Sequence, residues 1–523
     1  MNLPDRSAAA TGQAPEAATG TRRFDTLAFR AIPLLIACAM VINTYSYSLV
    51  TAIPLIQSDA WRYLDSFLGK FIEQGFSLID LFAQTNSADT NLPLQKMLLF
   101  FHTHYFGMDF RLEGLAGTLS GILLVGVLTR AAAAAPVIRW GALEYWLLAG
   151  LALAVLSLNS TNVYTWPLAT LWFLPLLLAA TYMWFVYARP HARGGIFCAT
   201  VLLGLSLDEV AFPVIASVYG ALLLAYQSRQ AGQLRTFTIY GFAGLAASRL
   251  LYWILGMWAS PGTASEASHR SLDAFIDPAI WKAAVIPLTD SLVHQANQVS
   301  LFGSGAPAYV WIAGIGLLAA HAWFWWRAIF TRNTVGQSFA MVTLMAMAVM
   351  LLFYGLVAGI LVQRVPEFGF EYFHQPRYML FYALHLAALG ILLYREQRYV
   401  LTGFRARQIM GGVLVAVILL FSALQLRLST LAWEHAKYLS SYVVGVSHSM
   451  GKLVIDPDST MECADIMTIC EFPPEKRRRL LGILIRYRLN LFSPDFQAFY
   501  RLQPFPPRPA PETKVAEDTA ETP

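Results

Sequence analysis

Charge is scarce in this chain. Asp, Glu, Lys and Arg make up 13% of its 523 residues, about half the share of a soluble domain. That excludes an ordinary soluble enzyme. Four cysteines are too few for a disulfide-dense secreted scaffold. Also missing are a phosphate-cradling glycine loop, Cys/His pairs at zinc spacing and a serine nucleophile elbow. P-loop nucleotide chemistry, structural zinc and elbow-type hydrolysis go with them. No internal repeat is visible, whereas many transporters are built from related halves. The net charge of +5 is mild and sits in short loops, so it bears on topology and not on nucleic acid.

What the chain has is apolar length. Hydrophobic residues reach 57% and the mean hydropathy is +0.51. About 20 apolar residues cross a bilayer core, and about eleven runs are read as spans, the fifth of them short: 31–55, 112–130, 142–159, 166–187, 194–207, 210–227, 236–258, 308–329, 338–361, 378–394 and 409–427. The fifth and sixth could form one re-entrant pair. The expected fold is an all-α integral membrane protein with outer-face amphipathic helices and a small C-terminal external domain. Residues 1–28 read as a disordered cytosolic tail, 29–427 as the membrane domain, 428–505 as the external domain and 506–523 as a disordered tail. Leu35-Ile36-Ala37-Cys38 looks like a lipoprotein cleavage box. The apolar run continues through Met40, Val41 and Ile42, so it is read as span interior.

Orientation follows from the basic residues. Alternate short loops hold Arg130 and Arg139, Arg189 and Arg193, Arg229 and Arg235, Arg327 and Arg332, then Arg395, Arg398, Arg405 and Arg407. The loops near 160–165 and 207–210 hold none. The N-terminus is therefore expected in the cytosol, and the odd span count puts the C-terminal region outside. The substantial loops, 56–111, 259–307 and 362–377, then share the outer face. An outward working surface disfavours soluble nucleotide donors. Cys463 and Cys470, in the outer tail, could pair as a disulfide or stay free thiols.

Two stripes at helical spacing mark the first outer loop: Trp61, Leu64, Phe67, Leu68, Phe71 and Ile72, then Leu94, Leu98, Phe101 and Tyr105. They read as helices lying in the membrane interface. Asp59, just past the first span, suits a general base that removes an acceptor proton; it could equally cap the helix that starts at Ala60. Asp208-Glu209 occupies a very short outer turn, where charges tend to face a cavity or solvent. Arg249 lies within the seventh run, suited to a lipid phosphate or to an ion pair with Glu209. Arg364, Arg377 and Tyr378 flank the tenth run and could clamp a phosphate or serve as membrane-belt residues. His102 and His104 lie two apart on a helix and do not share a face, which argues against a metal site. The basic run Lys476-Arg477-Arg478-Arg479 could touch anionic glycan or lipid headgroups.

A carboxylate at Asp59 after the first span, followed by one long outer loop, resembles the GT-C glycosyltransferases. These membrane enzymes take sugars from polyprenyl-phosphate carriers. Asp89, Asn91, Pro93, Lys96 and Phe106-Gly107 resemble a segment of bacterial members, and Arg377-Tyr378 opening a span is similar to another. The resemblance implies sugar transfer, inverting, to a glycan, lipid or protein acceptor at the outer face of a bacterial inner membrane. Asp59 would be the catalytic residue. Arg62, Asp89, Lys96, Glu209, Arg249, Arg364, Arg377 and Tyr378 would bind donor and substrate. The family often places two adjacent acids where this chain has Ser58-Asp59, so no cofactor is assigned and a divalent metal is left open. The alternatives are a flippase for lipid-linked glycan, or an outer-face glycan polymerase or ligase.

Overall fold

The structure, a computed structural model, describes residues 27–83, 92–134, 137–189, 191–225, 231–259, 272–331, 337–401, 403–458 and 468–502. Helix is the only regular element among them, as lipid requires of a chain with no closed barrel. Eleven long helices form the bundle: α1 (Leu27–Thr51), α2 (Arg111–Ala133), α3 (Ala142–Val155), α4 (Phe173–Ala188), α5 (Arg193–Leu207), α6 (Ala211–Ala225), α7 (Ala231–Ala259), α8 (Ala306–Phe330), α9 (Gln337–Gln363), α10 (Met379–Arg395) and α11 (Phe404–Ala436). By length and apolarity alone, nine stretches among the described residues can cross a membrane. That count joins α5 and α6 and leaves out the shorter α3.

Packing separates α5 from α6. A Cβ added to Gly204 would lie 2.2 Å from Ser248 Oγ, and one added to Gly244 would lie 2.9 Å from Thr200 Cβ. Residues 200 and 204 thus meet 244 and 248 in the same order, so α5 and α7 run parallel. Helix α6 must bring the chain back between them. Eleven passes result, and alternate connections gather at opposite ends. At one end Tyr394 donates to Glu144 (2.9 Å) and Arg327 Nε to Glu396 (3.0 Å). At the other, Asn159 Nδ2 donates to the Asp290 carbonyl (2.6 Å).

A second core sits on that latter end. Trp61, Leu64, Phe67 and Leu68 of the first loop are buried with Leu480, Ile483 and Leu484 of the helix Pro474–Arg486. This corrects the interfacial reading of the first stripe: it faces protein. The second stripe does leave Phe101 and Tyr105 exposed. The basic run makes ion pairs and hydrogen bonds within the protein. Lys476 and Arg479 both pair with Asp65, Arg478 pairs with Asp458 at 2.5 Å, and Arg477 donates to the carbonyls of Phe472 and Cys470. The two Asp65 pairs dock the tail on the first loop, and the others brace the tail itself. Cys470 is disulfide-bonded; Cys463 lies outside the described residues. Cys38 and Cys198 are free.

Candidate active site

Helix α1 stops at Thr51, and a buried, irregular stretch carries the chain to Ser58. Ser58 takes a left-handed backbone, φ +48, uncommon for a residue with a Cβ. Asp59 follows at the start of the short helix Ala60–Tyr63, with no side-chain cap bond. Its carboxylate therefore does not cap that helix. It lines a cavity of about 920 Å³, together with Arg62, Glu209, Arg249, Arg364, Arg377 and Tyr378. Seven of the nine residues singled out from sequence thus share one chamber.

The polar walls come from four directions. Arg62 lies 3.7 Å from Glu471 of the tail, and Tyr63 donates to Gln95 at 3.2 Å. Arg377 stands among three aromatic rings, with its guanidinium carbon 5.7 Å from the Trp166 ring, 5.6 Å from Tyr372 and 5.5 Å from Tyr378. It donates to the Tyr372 hydroxyl and lies within electrostatic reach of Asp59. Arg364 acts on Tyr378 in the same way. Glu209 accepts from Gln363 at 3.4 Å. Arg249 donates from Nη1 to Asp208 Oδ1 at 2.6 Å and from Nη2 to the Asp208 carbonyl. Its acid partner is Asp208, then, and not Glu209. Another part of the lining is apolar and mixes small and large residues: Pro213, Ala216 and Gly220 with Phe212 on α6, and Gly355 and Gly359 with Leu351 and Leu356 on α9.

Lys96 is not among the lining residues. It is fully buried, donates to the Ala83 carbonyl and sits 5.7 Å from the Phe67 ring centre. Burial pulls its ammonium down to about 7, against the opposing pull of Asp208 and Asp80. Asp89 lies outside the described residues. His102 Nδ1 is 2.9 Å from Glu113, apart from the cavity lining. Among the described residues no three His, Cys, Asp or Glu side chains gather closely enough to hold a metal ion.

Several lining residues escaped sequence reasoning: Trp166, Trp172, Gln95, Gln363 and Tyr372. Trp166 and Trp172 follow a short outer turn noted above only for its lack of Lys and Arg. Beneath the loop that carries Tyr372 and Arg377, His374 Nδ1 pairs with the fully buried Asp290 at 2.7 Å. His294 Nε2 contacts the His374 carbonyl at 2.8 Å. This network fixes the loop from behind.

No protein-family model matches the chain, and neither does any curated protein. Among solved structures it is similar to one described as the crystal structure of ArnT from Cupriavidus metallidurans bound to undecaprenyl phosphate. The identity is 15%, over 91% of this chain and 89% of that one, with a TM-score of 0.34. The cavity itself defines the chemistry.

That chemistry has two halves. Guanidinium groups suit phosphate oxygens, which they meet with paired N–H donors. A carboxylate beside them can take a proton. The apolar part of the lining suits an aliphatic chain, so a molecule with a phosphate head and an apolar tail fits both halves.

Proposed function

We propose that this chain is a membrane glycosyltransferase that moves a sugar from a polyprenyl-phosphate donor to a glycan, lipid or protein acceptor on the outer face of a bacterial inner membrane. One observation carries the reading: Asp59 and the guanidinium groups of Arg249, Arg364 and Arg377 line a single cavity with an apolar wall. Orientation is supported by the arginines of the short loops, which lie at the opposite end and favour the cytosol. The disulfide at Cys470, on the cavity end, accords with an oxidising compartment.

In this reading Asp59 removes the acceptor hydroxyl proton as the acceptor oxygen attacks the anomeric carbon. The bond from that carbon to the phosphate oxygen breaks, and its electron pair leaves with the polyprenyl phosphate. A single displacement inverts the anomeric centre. The arginines stabilise charge growing on the leaving phosphate, while Trp166, Trp172 and Tyr372 offer faces on which a sugar can stack. Given an envelope glycan and lipid extract as acceptor, the purified protein should release undecaprenyl phosphate from one member of a panel of synthetic undecaprenyl-phosphate hexoses and pentoses, with the sugar recovered on the acceptor. Asp59→Asn should insert and fold normally yet lose turnover. Full turnover in that variant removes Asp59 from the mechanism. Movement of lipid-linked glycan across vesicles without any release would favour the flippase instead.

A further inference from the structure

Asn490 lies in the C-terminal segment, 434 positions after Ile56. It is fully buried and has φ +50, a backbone that Asn tolerates better than most residues. Its side chain is bonded at both ends. Oδ1 accepts from the Ile56 amide at 3.2 Å, and Nδ2 donates to the carbonyls of Pro54 (2.9 Å) and Met108 (2.6 Å). Its own amide donates to the Gly107 carbonyl at 2.8 Å, and the Phe110 amide reaches the same Pro54 carbonyl at 3.2 Å. Residues 54–56 open the first outer loop and 107–110 close it. Asn490 therefore ties the exit and return of that loop at one point, three residues before Asp59.

We infer that Asn490 is a positioning residue for the transfer reaction: supplied by the far end of the chain, it sets the place of Asp59 by fixing the backbone that leads into it. The inference rests on the reading of Asp59 as the base. Without the Asn490 side chain, the Ile56 amide and the Met108 carbonyl lose this partner inside a buried joint, and such groups are costly to leave unmade. The joint then loosens toward solvent, and the strained Ser58 turn loses its anchor. A shift of about 1 Å at a reacting group can lower a rate about 100-fold.

Two variants test this in the full-length protein. Asn490→Gly keeps access to the left-handed backbone and loses the side chain. Asn490→Asp keeps the acceptor for Ile56 and loses both donors. Turnover is read with the synthetic donor panel, and hydrogen exchange of the peptide spanning 52–64 reports the joint. The expected result is a kcat about 100-fold lower in Asn490→Gly and at least as low in Asn490→Asp, whose buried carboxylate faces the Pro54 and Met108 carbonyls, with donor KM within about threefold. Faster exchange should be confined to 52–64 and 107–110, with helical circular dichroism unchanged. Exchange and kcat both like the parent protein would overturn the inference. So would a general rise in exchange across the bundle, which marks a residue needed for folding alone. Asp59→Asn run in parallel separates the two failures: if it retains turnover, the base assignment has failed, whatever Asn490 does to exchange.

Discussion

Replacing Arg377 by Lys keeps the positive charge and discards the shape. The guanidinium carbon lies within 5.7 Å of three ring centres, those of Trp166, Tyr372 and Tyr378, and one amino group donates to the Tyr372 hydroxyl. Each ring contact contributes about 0.5–1 kcal/mol, more where water is excluded, so the cage holds Arg377 with about 2–3 kcal/mol. A flat cation stacks among rings and still offers paired donors; an ammonium does neither as well. Losing one donor to a developing negative charge typically costs about 3–4 kcal/mol in the transition state. Arg377→Ala should then lower kcat by about 10²–10³, since about 1.4 kcal/mol is tenfold. Arg377→Lys should retain part of the charge effect and fall about 10–100-fold. Tyr372→Phe removes one charge-assisted hydrogen bond of about 1.5–3 kcal/mol and should cost about tenfold. The assay is steady-state release of undecaprenyl phosphate across donor concentrations, with kcat and KM separated. A Lys variant within about threefold of the parent kcat would refute the reasoning, because it would show that charge alone suffices.

Two further outcomes concern buried charge. Arg249→Ala should destabilise by about 1–3 kcal/mol in detergent thermal unfolding, because it removes the ion-pair partner of the largely buried Asp208 carboxylate and leaves it Tyr252 and the more distant Lys96; the figure is discounted for Arg249's own exposure. Asp208→Asn, which strands no anion, should cost less, and the reverse order would show that the pair is not what holds this turn. Lys96 titrates at about 7 when folded and at 10.5 in its reference state, so between those values the unfolded chain binds more protons and stability rises with pH. Lys96→Met should flatten that slope between about pH 7 and pH 10, and an unchanged slope would show that Lys96 is not buried as described.

The eleven passes were legible because lipid leaves a backbone one easy option: each long apolar run became a helix, and basic loops alternated with loops lacking them. Some of the seven residues that line the cavity were legible for a related reason. A charge is costly at membrane depth, so Arg249, Glu209 and Arg377 were conspicuous wherever they fell. What stayed hidden was pairing at long range. Nothing local says that Asn490 meets Ile56, or that the stripe from Trp61 to Leu68 buries against Ile483. Lys96 was read as a donor contact on its motif, yet its burial depends on Phe67 and Ala83, two separate pieces of the same loop. The choice between Asp208 and Glu209 as partner of Arg249 was decided by one turn, whose backbone sequence periodicity does not report.

That turn and the one before Asp59 follow the same plan. Asp208 has φ +47 and Ser58 has φ +48, and in each case the next residue, Glu209 or Asp59, presents a carboxylate to the cavity. A non-glycine residue held in this region costs of order 1–3 kcal/mol and persists only where its surroundings over-determine it. Both turns have such surroundings. Arg249 grips Asp208 by side chain and carbonyl together, and Asn490 grips Pro54 and Ile56 just ahead of Ser58. Neither clamp belongs to the segment it holds: one comes from α7, the other from the C-terminal tail. A local sequence free to relax would fold these residues into the adjoining helices and turn both acids away. The clamps thus convert strain into direction, and they do so before any substrate arrives, which is what stabilising a transient charge demands of the groups around it.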